Sequence, residues 1–323
     1  MKEHKIYQKI SQVFLAKIFS VISSFVFFTL LARTVGVSEL GVYGFLVGVV
    51  ALVTSISSLG SNELIMREGG AHPEKSKNLL NCSHIQKLCL TFVLLIGSLL
   101  FNGLDNELFD FRIFCILTLA YACDSLSVGY INAMRVNQNN KFELVVFLLR
   151  GGLRVLVGII GYNTQWTLVD FSYGLLASSV VGLLFGSIYW MSFAKVLNFS
   201  NEKQYDFKNF LIASVPFAGL AVFGNFYQQM PSIILPIVSS SFDAGIFAPA
   251  YQVYIAALFL PNSVFVVVQP LLTRVFTSGQ SENKKLFLKE MFLISGGVSI
   301  LTALFCALLF PLMIPPVFGK GFK

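Results

Sequence analysis

Residues 171–194 read FSYGLLASSVVGLLFGSIYWMSFA, a run without a charged side chain between Asp170 and Lys195. A bilayer's hydrocarbon core is crossed by about 20 apolar residues in a helix. The run is therefore long enough to span one, and it has no Pro to break it. Similar charge-free stretches lie from Leu40 to Asn62, Lys208 to Asp243, Asp243 to Arg274 and Glu290 to Lys320. A chain with this many such stretches threads a membrane repeatedly.

Composition agrees. The 323 residues are 55% hydrophobic and 12% charged, with mean hydropathy +0.75. Soluble domains carry roughly 25% charged residues. The net charge of +7 does not point to nucleic acid. The basic residues sit in short segments beside apolar runs, where they act as topology signals. Cys82, Cys89, Cys115, Cys123 and Cys306 form no Cys-x-x-Cys pair and read as small packing residues. His4, His72 and His84 lack ligand spacing to a second His or Cys. No metal site is expected. The apolar run to Ala32 is too long for a signal-peptide core, so it reads as an uncleaved first span.

Nine spans result, roughly 10–32, 40–60, 88–104, 113–134, 143–161, 168–192, 210–238, 246–270 and 291–315. Of the 23 Lys and Arg, sixteen fall in alternate segments that include the N-terminus. Lys87 is counted among them, in the loop before the third span. Arg33, Arg112, Lys320 and Lys323 fall in the opposite segments. This bias predicts a cytoplasmic N-terminus. It also favours two spans over three between Lys208 and Arg274, with the turn near Ser239-Ser240-Ser241. Pro216, Pro231 and Pro236 then share one long seventh helix.

Glu39-Leu40-Gly41-Val42-Tyr43-Gly44 and Asp243-Ala244-Gly245-Ile246-Phe247-Ala248 share a pattern: acidic, apolar, Gly, β-branched, aromatic, small. Their offset of 204 maps span one onto seven and span two onto eight. Both first helices run in one direction, which predicts a parallel repeat about an axis normal to the membrane. The expected organisation is a six-helix lobe over 1–204 and a second lobe over 205–323. By the same arithmetic a full second half would end near residue 408, so the second lobe reads as truncated or short.

Lys17, Arg150, Arg154 and Asp124 fall inside spans, where topology does not explain them. Arg150 and Arg154 are four apart, on one helix face. A central Arg costs about 2.5–3.5 kcal/mol on insertion scales. One reading is mutual pairing, yet Asp124 neutralises only one cation. The other is a water-filled cationic cavity suited to phosphate, which a guanidinium grips with two parallel hydrogen bonds. Asn225, Gln228 and Gln229, within one helical turn, either line that cavity or bond across helices. No Gly-x-x-x-x-Gly-Lys-Ser/Thr loop, Gly-x-Ser-x-Gly, or His-Glu-x-x-His occurs. Neither an ATP-driven pump nor a hydrolase of those kinds is indicated.

The stretch Gly36-Val37-Ser38-Glu39-Leu40-Gly41-Val42-Tyr43, then Leu59-Gly60 and Met66-Arg67-Glu68, resembles the start of polysaccharide-biosynthesis membrane proteins. Those are the O-antigen and capsule flippases of the multidrug/oligosaccharidyl-lipid/polysaccharide exporter superfamily. Asp243 through Tyr251, Pro270-Leu271-Leu272-Thr273-Arg274 and Phe318-Gly319-Lys320-Gly321-Phe322 resemble later family segments. The resemblance implies an all-α protein of two lobes in the bacterial inner membrane. It implies transport, not catalysis, of an undecaprenyl-diphosphate-linked oligosaccharide by alternating access, as in lipopolysaccharide biosynthesis. The bilayer and a glycan polymerase machinery are the implied partners. Arg150, Arg154 and Lys17 would meet the diphosphate, with Asp124 as charge partner. No cofactor is implied beyond coupling to a proton or sodium gradient. Many members carry an acidic residue in the seventh helix, where this chain has Gln228, Gln229 and Met230. A lipid II flippase, a drug/cation antiporter of the same superfamily, and an integral glycan polymerase or ligase are the rival readings.

Overall fold

The computed structural model describes residues 2–99, 108–137, 139–197 and 206–258, and beyond them 289, 291–293, 295–304, 307–308 and 317–318. Side chains are described from residue 14, apart from 140, 196 and 197. Among the described residues every element longer than a single turn is an α-helix. The order is α1 (Lys2–Val35), α2 (Val37–Ser58), α3 (Ser61–Ala71), α4 (Ser76–Ser98), α5 (Phe111–Val136), α6 (Asn140–Thr164), α7 (Leu168–Leu197) and α8 (Phe207–Val238). A ninth, α9, runs over 241–258. Among the described residues seven helices are long and apolar enough to cross a membrane: α1, α2 and α4–α8. The protein is an all-α, multi-pass membrane protein. The expected spans 246–270 and 291–315 lie partly outside the described residues. Their described parts, 246–258 and most of 291–304, are helical.

Two expectations are refined. The third span is Pro73–Ser98, not 88–104. Its helix starts after the Pro73–Lys75 turn and runs unbroken through Lys87. Lys87 is consequently not in a loop. Its Nζ has two acceptors inside the bundle, so the dip in hydropathy there marks a polar interior instead of a helix end. The seventh span behaves as expected. Pro216, Pro231 and Pro236 all lie inside α8, which ends at Val238 beside the predicted turn.

Backbone conformation sets the tight corners. One residue, Gly36 at φ 86°, separates α1 from α2. L side chains rarely adopt that conformation. The α2–α3 corner uses two consecutive left-handed residues, Leu59 (φ 43°) and Gly60 (φ 73°). Asp110 caps α5 by accepting from the backbone N–H groups of Arg112 (2.8 Å) and Ile113 (3.1 Å).

The residues form two compact units, Met1–Ile246 and Phe247–Lys323. In the first, α1 packs along α6, α5 along α7, and α2 along α8. Without a hydrophobic drive between helices in lipid, small residues decide where backbones approach. Gly151 and Gly158 of α6, two turns apart, sit on Phe19/Ser23 and Phe27/Leu30 of α1. Gly48 of α2 sits on Ile233 of α8, and Gly182 of α7 on the Arg150 side chain. A separate aromatic cluster, Tyr130, Phe142, Phe185, Tyr189, Trp190 and Phe193, joins α5, α6 and α7. In the second unit Phe247 and Tyr251 stack at 5.5 Å between ring centroids.

The two similar hexapeptides meet. A Cβ on Gly41 would overlap the Ser241 carbonyl, and a Cβ on Gly245 would overlap the Val37 carbonyl. Ser38 Oγ and Ser241 Oγ are 2.8 Å apart. The first backbone bonds of α2 and α9 also correspond, Leu40 N to Gly36 O and Ala244 N to Ser240 O, both at 3.1 Å.

Candidate functional site

The intramembrane charges lie where α1, α5, α6 and α7 pack. Asp124 projects from the middle of α5, and Arg150 and Arg154 from successive turns of α6. The four-residue spacing puts both guanidiniums on one helix face. Gly182 of α7 leaves room for the Arg150 stem, since a Cβ there would stand 2.6 Å from Arg150 Cδ.

One carboxylate oxygen serves both cations. Asp124 Oδ2 accepts from Arg150 Nη2 and from Arg154 Nη2, the latter at 2.5 Å. The side chains are 9%, 21% and 16% exposed for Arg150, Arg154 and Asp124. Two cations against one anion leave a net charge of +1. Within the cluster three polar atoms are buried without a hydrogen-bond partner: Asp124 Oδ1, Arg150 Nε and Arg154 Nε. The two Nε–H groups are unspent donors, and Asp124 Oδ1 is an acceptor that neither of them reaches. Tyr43 of α2 and Tyr121 of α5 lie within electrostatic reach of Arg154.

A small cleft of about 20 Å³, open at its mouth, lies against this cluster, lined by Ser20, Ser24, Phe147, Arg150, Gly151 and Arg154. Lys17, Ser20 and Ser24 recur at helical spacing on α1, so they share a face. Lys17 is half-buried and makes no ion pair among the described residues. The structure thus brings Asp124, Arg150 and Arg154 into contact and puts Lys17 one turn from the cleft. Asn225, Gln228 and Gln229 lie on α8, outside it. Asn225 donates to its own helix at the Ala221 carbonyl (2.9 Å), Gln228 is exposed and Gln229 half-buried.

Sequence reasoning missed two buried charges. Glu143, 1% exposed, accepts both Nε (2.7 Å) and Nη2 of Arg135, joining the α5 and α6 ends. Lys87, 2% exposed, donates to Asn62 Oδ1 (2.9 Å) and the Ser125 carbonyl (2.8 Å). A readable signal existed for Lys87. Pro73 marks a helix start, and nothing from Ser76 to Ser98 breaks one. Among the described residues no cluster of His, Cys, Asp and Glu could hold a metal ion.

Three comparisons place this architecture among known proteins. A family model described as "Polysaccharide biosynthesis protein" matches residues 6–276. No curated protein matches significantly. One solved structure, described only as "protein A", superposes with TM-score 0.66 at 14% identity, over 97% of this chain and 74% of that one. A multidrug resistance MATE family transporter of the MOP superfamily, in an outward-facing conformation, gives TM-score 0.56 at 18% identity, over 97% and 82%. A MOP superfamily transporter from Pyrococcus furiosus gives TM-score 0.50 at 15% identity, over 96% and 72%. That protein is described as having a binding pocket of reverse polarity, suggesting a different function. At these identities the likeness shows a shared fold.

Proposed function

Since the chain belongs to the polysaccharide biosynthesis protein family, we propose that it flips a lipid-diphosphate-linked oligosaccharide across the bacterial inner membrane. The observation that carries this reading is the cluster of two guanidiniums on one carboxylate. It holds a net positive charge and two unspent Nε–H donors beside a cleft, inside membrane-spanning helices.

In the proposed cycle the 1–204 and 205–323 lobes rock about the substrate, with the N-terminus cytoplasmic. Lys17 draws the anionic head group toward α1. Arg150 and Arg154 grip phosphate oxygens, and Asp124 holds the two forks parallel until an anion competes for them. Drug-sized pockets run roughly 300–1,000 Å³. The cleft beside the cluster, about 20 Å³, is far smaller, so a head group would reach the arginines only as the lobes part. The cluster reads the diphosphate and not the sugar. Undecaprenyl carriers of an O-antigen or capsule unit and of peptidoglycan precursors would satisfy it equally. A drug/cation antiporter would need the opposite charge. Asn225, Gln228 and Gln229 on α8 are proposed to line the sugar path, and no acidic group stands among them.

The test is export of lipid-linked oligosaccharide in cells carrying the full-length protein. Arg150→Glu with Arg154→Glu should abolish export. Arg150→Lys with Arg154→Lys keeps the charge but loses the planar fork, and should lower export at least about tenfold. Full export by the charge-reversed protein would overturn the assignment.

A further inference from the structure

One buried cation has no part in that reading. Lys87 stands near the middle of α4 and is among the largest fully buried side chains. Its Nζ has two acceptors, Asn62 Oδ1 of α3 and the Ser125 carbonyl of α5. Both are uncharged, and among the described residues no carboxylate lies within ion-pair distance. An ammonium has three N–H donors and a full charge, whereas an amine has two donors and a lone pair. Two neutral acceptors therefore match the amine. The ammonium would keep one donor and its whole charge unanswered, and buried charges without partners neutralise instead of persisting.

The surroundings are polar and incompletely satisfied. Gln86 Nε2 donates to the Ser58 carbonyl (2.7 Å), and Ser58 Oγ meets Ser125 Oγ (3.2 Å). Ser83 Oγ donates to Ser61 Oγ (3.0 Å). Gln86 Oε1 is buried without a partner. The titratable groups around Lys87 are few. Glu63, in the first turn of α3, acts on it from a distance. His84, on its own helix, places Nε2 3.1 Å from the Leu126 carbonyl. Asp124 neighbours Ser125 on α5 but is engaged by both arginines. α2 presents the Ser58 hydroxyl, and α8 brings Asp206 toward Cys82.

We propose that Lys87 is a proton-exchange site, neutral in this packing of α3, α4 and α5 and protonated in an alternative packing that admits water or Glu63. In the step, the Nζ lone pair takes a proton from hydronium carried in by water at the Asn62 end: one N–H bond forms, one hydronium O–H bond breaks, and water is left. The reverse step breaks that N–H bond and returns the proton to water as hydronium. Protonation then favours the alternative packing and deprotonation the present one, which is a linkage between proton concentration and conformation. The proposal takes its purpose, though not its chemistry, from the transport reading.

The test begins without substrate, on the full chain in detergent. Lysine-selective 15N spectra distinguish amine from ammonium, with the signal assigned by Lys87→Met or Lys87→Arg. An amine at about pH 7.5 is expected, and an ammonium would overturn the proposal. Melting is then followed from about pH 6 to about pH 9. A side chain neutral when folded and charged when unfolded makes the unfolded chain bind more protons, so stability rises with pH. Lys87→Met should remove that rise, and Lys87→Arg should melt lower at every pH. Equal slopes for wild type and Lys87→Met, with Lys87→Arg unaffected, would overturn it. If neither variant folds, the wild-type spectrum decides. In cells, Lys87→Met should flatten the pH profile of glycan export, while the Arg150/Arg154 variants lose export throughout. An amine signal in a protein that exports nothing would count against the transport reading alone.

Discussion

At the scale of single residues, the Asp124 cluster has the sharpest consequence. One carboxylate restrains two buried guanidiniums, so removing its charge leaves both unpaired. Breaking a buried pair by deleting one partner costs about 3–5 kcal/mol. Asp124→Asn should therefore melt well below wild type. The same loss frees both forks, so added inorganic pyrophosphate should raise the melting of Asp124→Asn more than that of wild type. An Asp124→Asn protein that melts like wild type would show the cluster to be solvated and unimportant. These charges were legible in the sequence because an Arg amid apolar residues has no topological excuse. For Lys87 the helix-start signal at Pro73 is masked, because Lys75 and Lys77 precede it and a positive segment is the usual sign of a loop. Glu143 was hidden for the opposite reason. It opens a span, where an acidic side chain at a helix start is ordinary. Only three-dimensional packing shows that it is buried against Arg135.

At the scale of elements, apolar runs announced each described span, but helix ends did not follow hydropathy. α4 begins about a dozen residues before the sequence-based span, because polar side chains such as Ser76, Ser83 and Gln86 are buried against neighbours instead of facing water. α3 falls between the expected spans because its mixed residues lack an apolar run. Even so, Leu64 and Ile65 are buried with Leu79, Cys82 and Phe210. The corner that sends α3 away from α2 rests on Gly60. Its φ of 73° disfavours any side chain, and a Cβ would stand 2.5 Å from the Ser214 carbonyl and 2.7 Å from Ala218 N of α8. Backbone cannot yield as a flexible side chain does. Gly60→Ala should destabilise the bundle by about 1–3 kcal/mol. Gly44→Ala in α2, with nothing within 4 Å, should be neutral or slightly stabilising through helix propensity. Similar melting of the two variants would argue that α8 does not press on this corner.

At the scale of the whole molecule, the repeat at offset 204 has a geometric counterpart. Gly41 faces the carbonyl of Ser241, and Gly245 faces that of Val37. Adding 204 to Gly41 gives Gly245, and adding it to Val37 gives Ser241. Residue i meets j of the other copy, and j meets i, which is the reciprocity a two-fold axis imposes. The reciprocity ties the start of α2 to the start of α9. The hexapeptide pattern was visible in the sequence. That the two copies touch was not, because their glycines contribute no side chain from which a contact could be inferred. The contact is close enough to lock. Ser38 Oγ and Ser241 Oγ are 2.8 Å apart and exposed, and a disulfide needs Cβ atoms about 3.8 Å apart. Ser38→Cys with Ser241→Cys should therefore cross-link under mild oxidation, measured as a reducible mobility shift in the full-length protein. If the two lobes must part at this end during each cycle, the oxidised protein exports no glycan and reduction restores export. A cross-linked protein that still exports would mean that transport proceeds with the α2–α9 contact closed, and rocking about this axis would have to be abandoned.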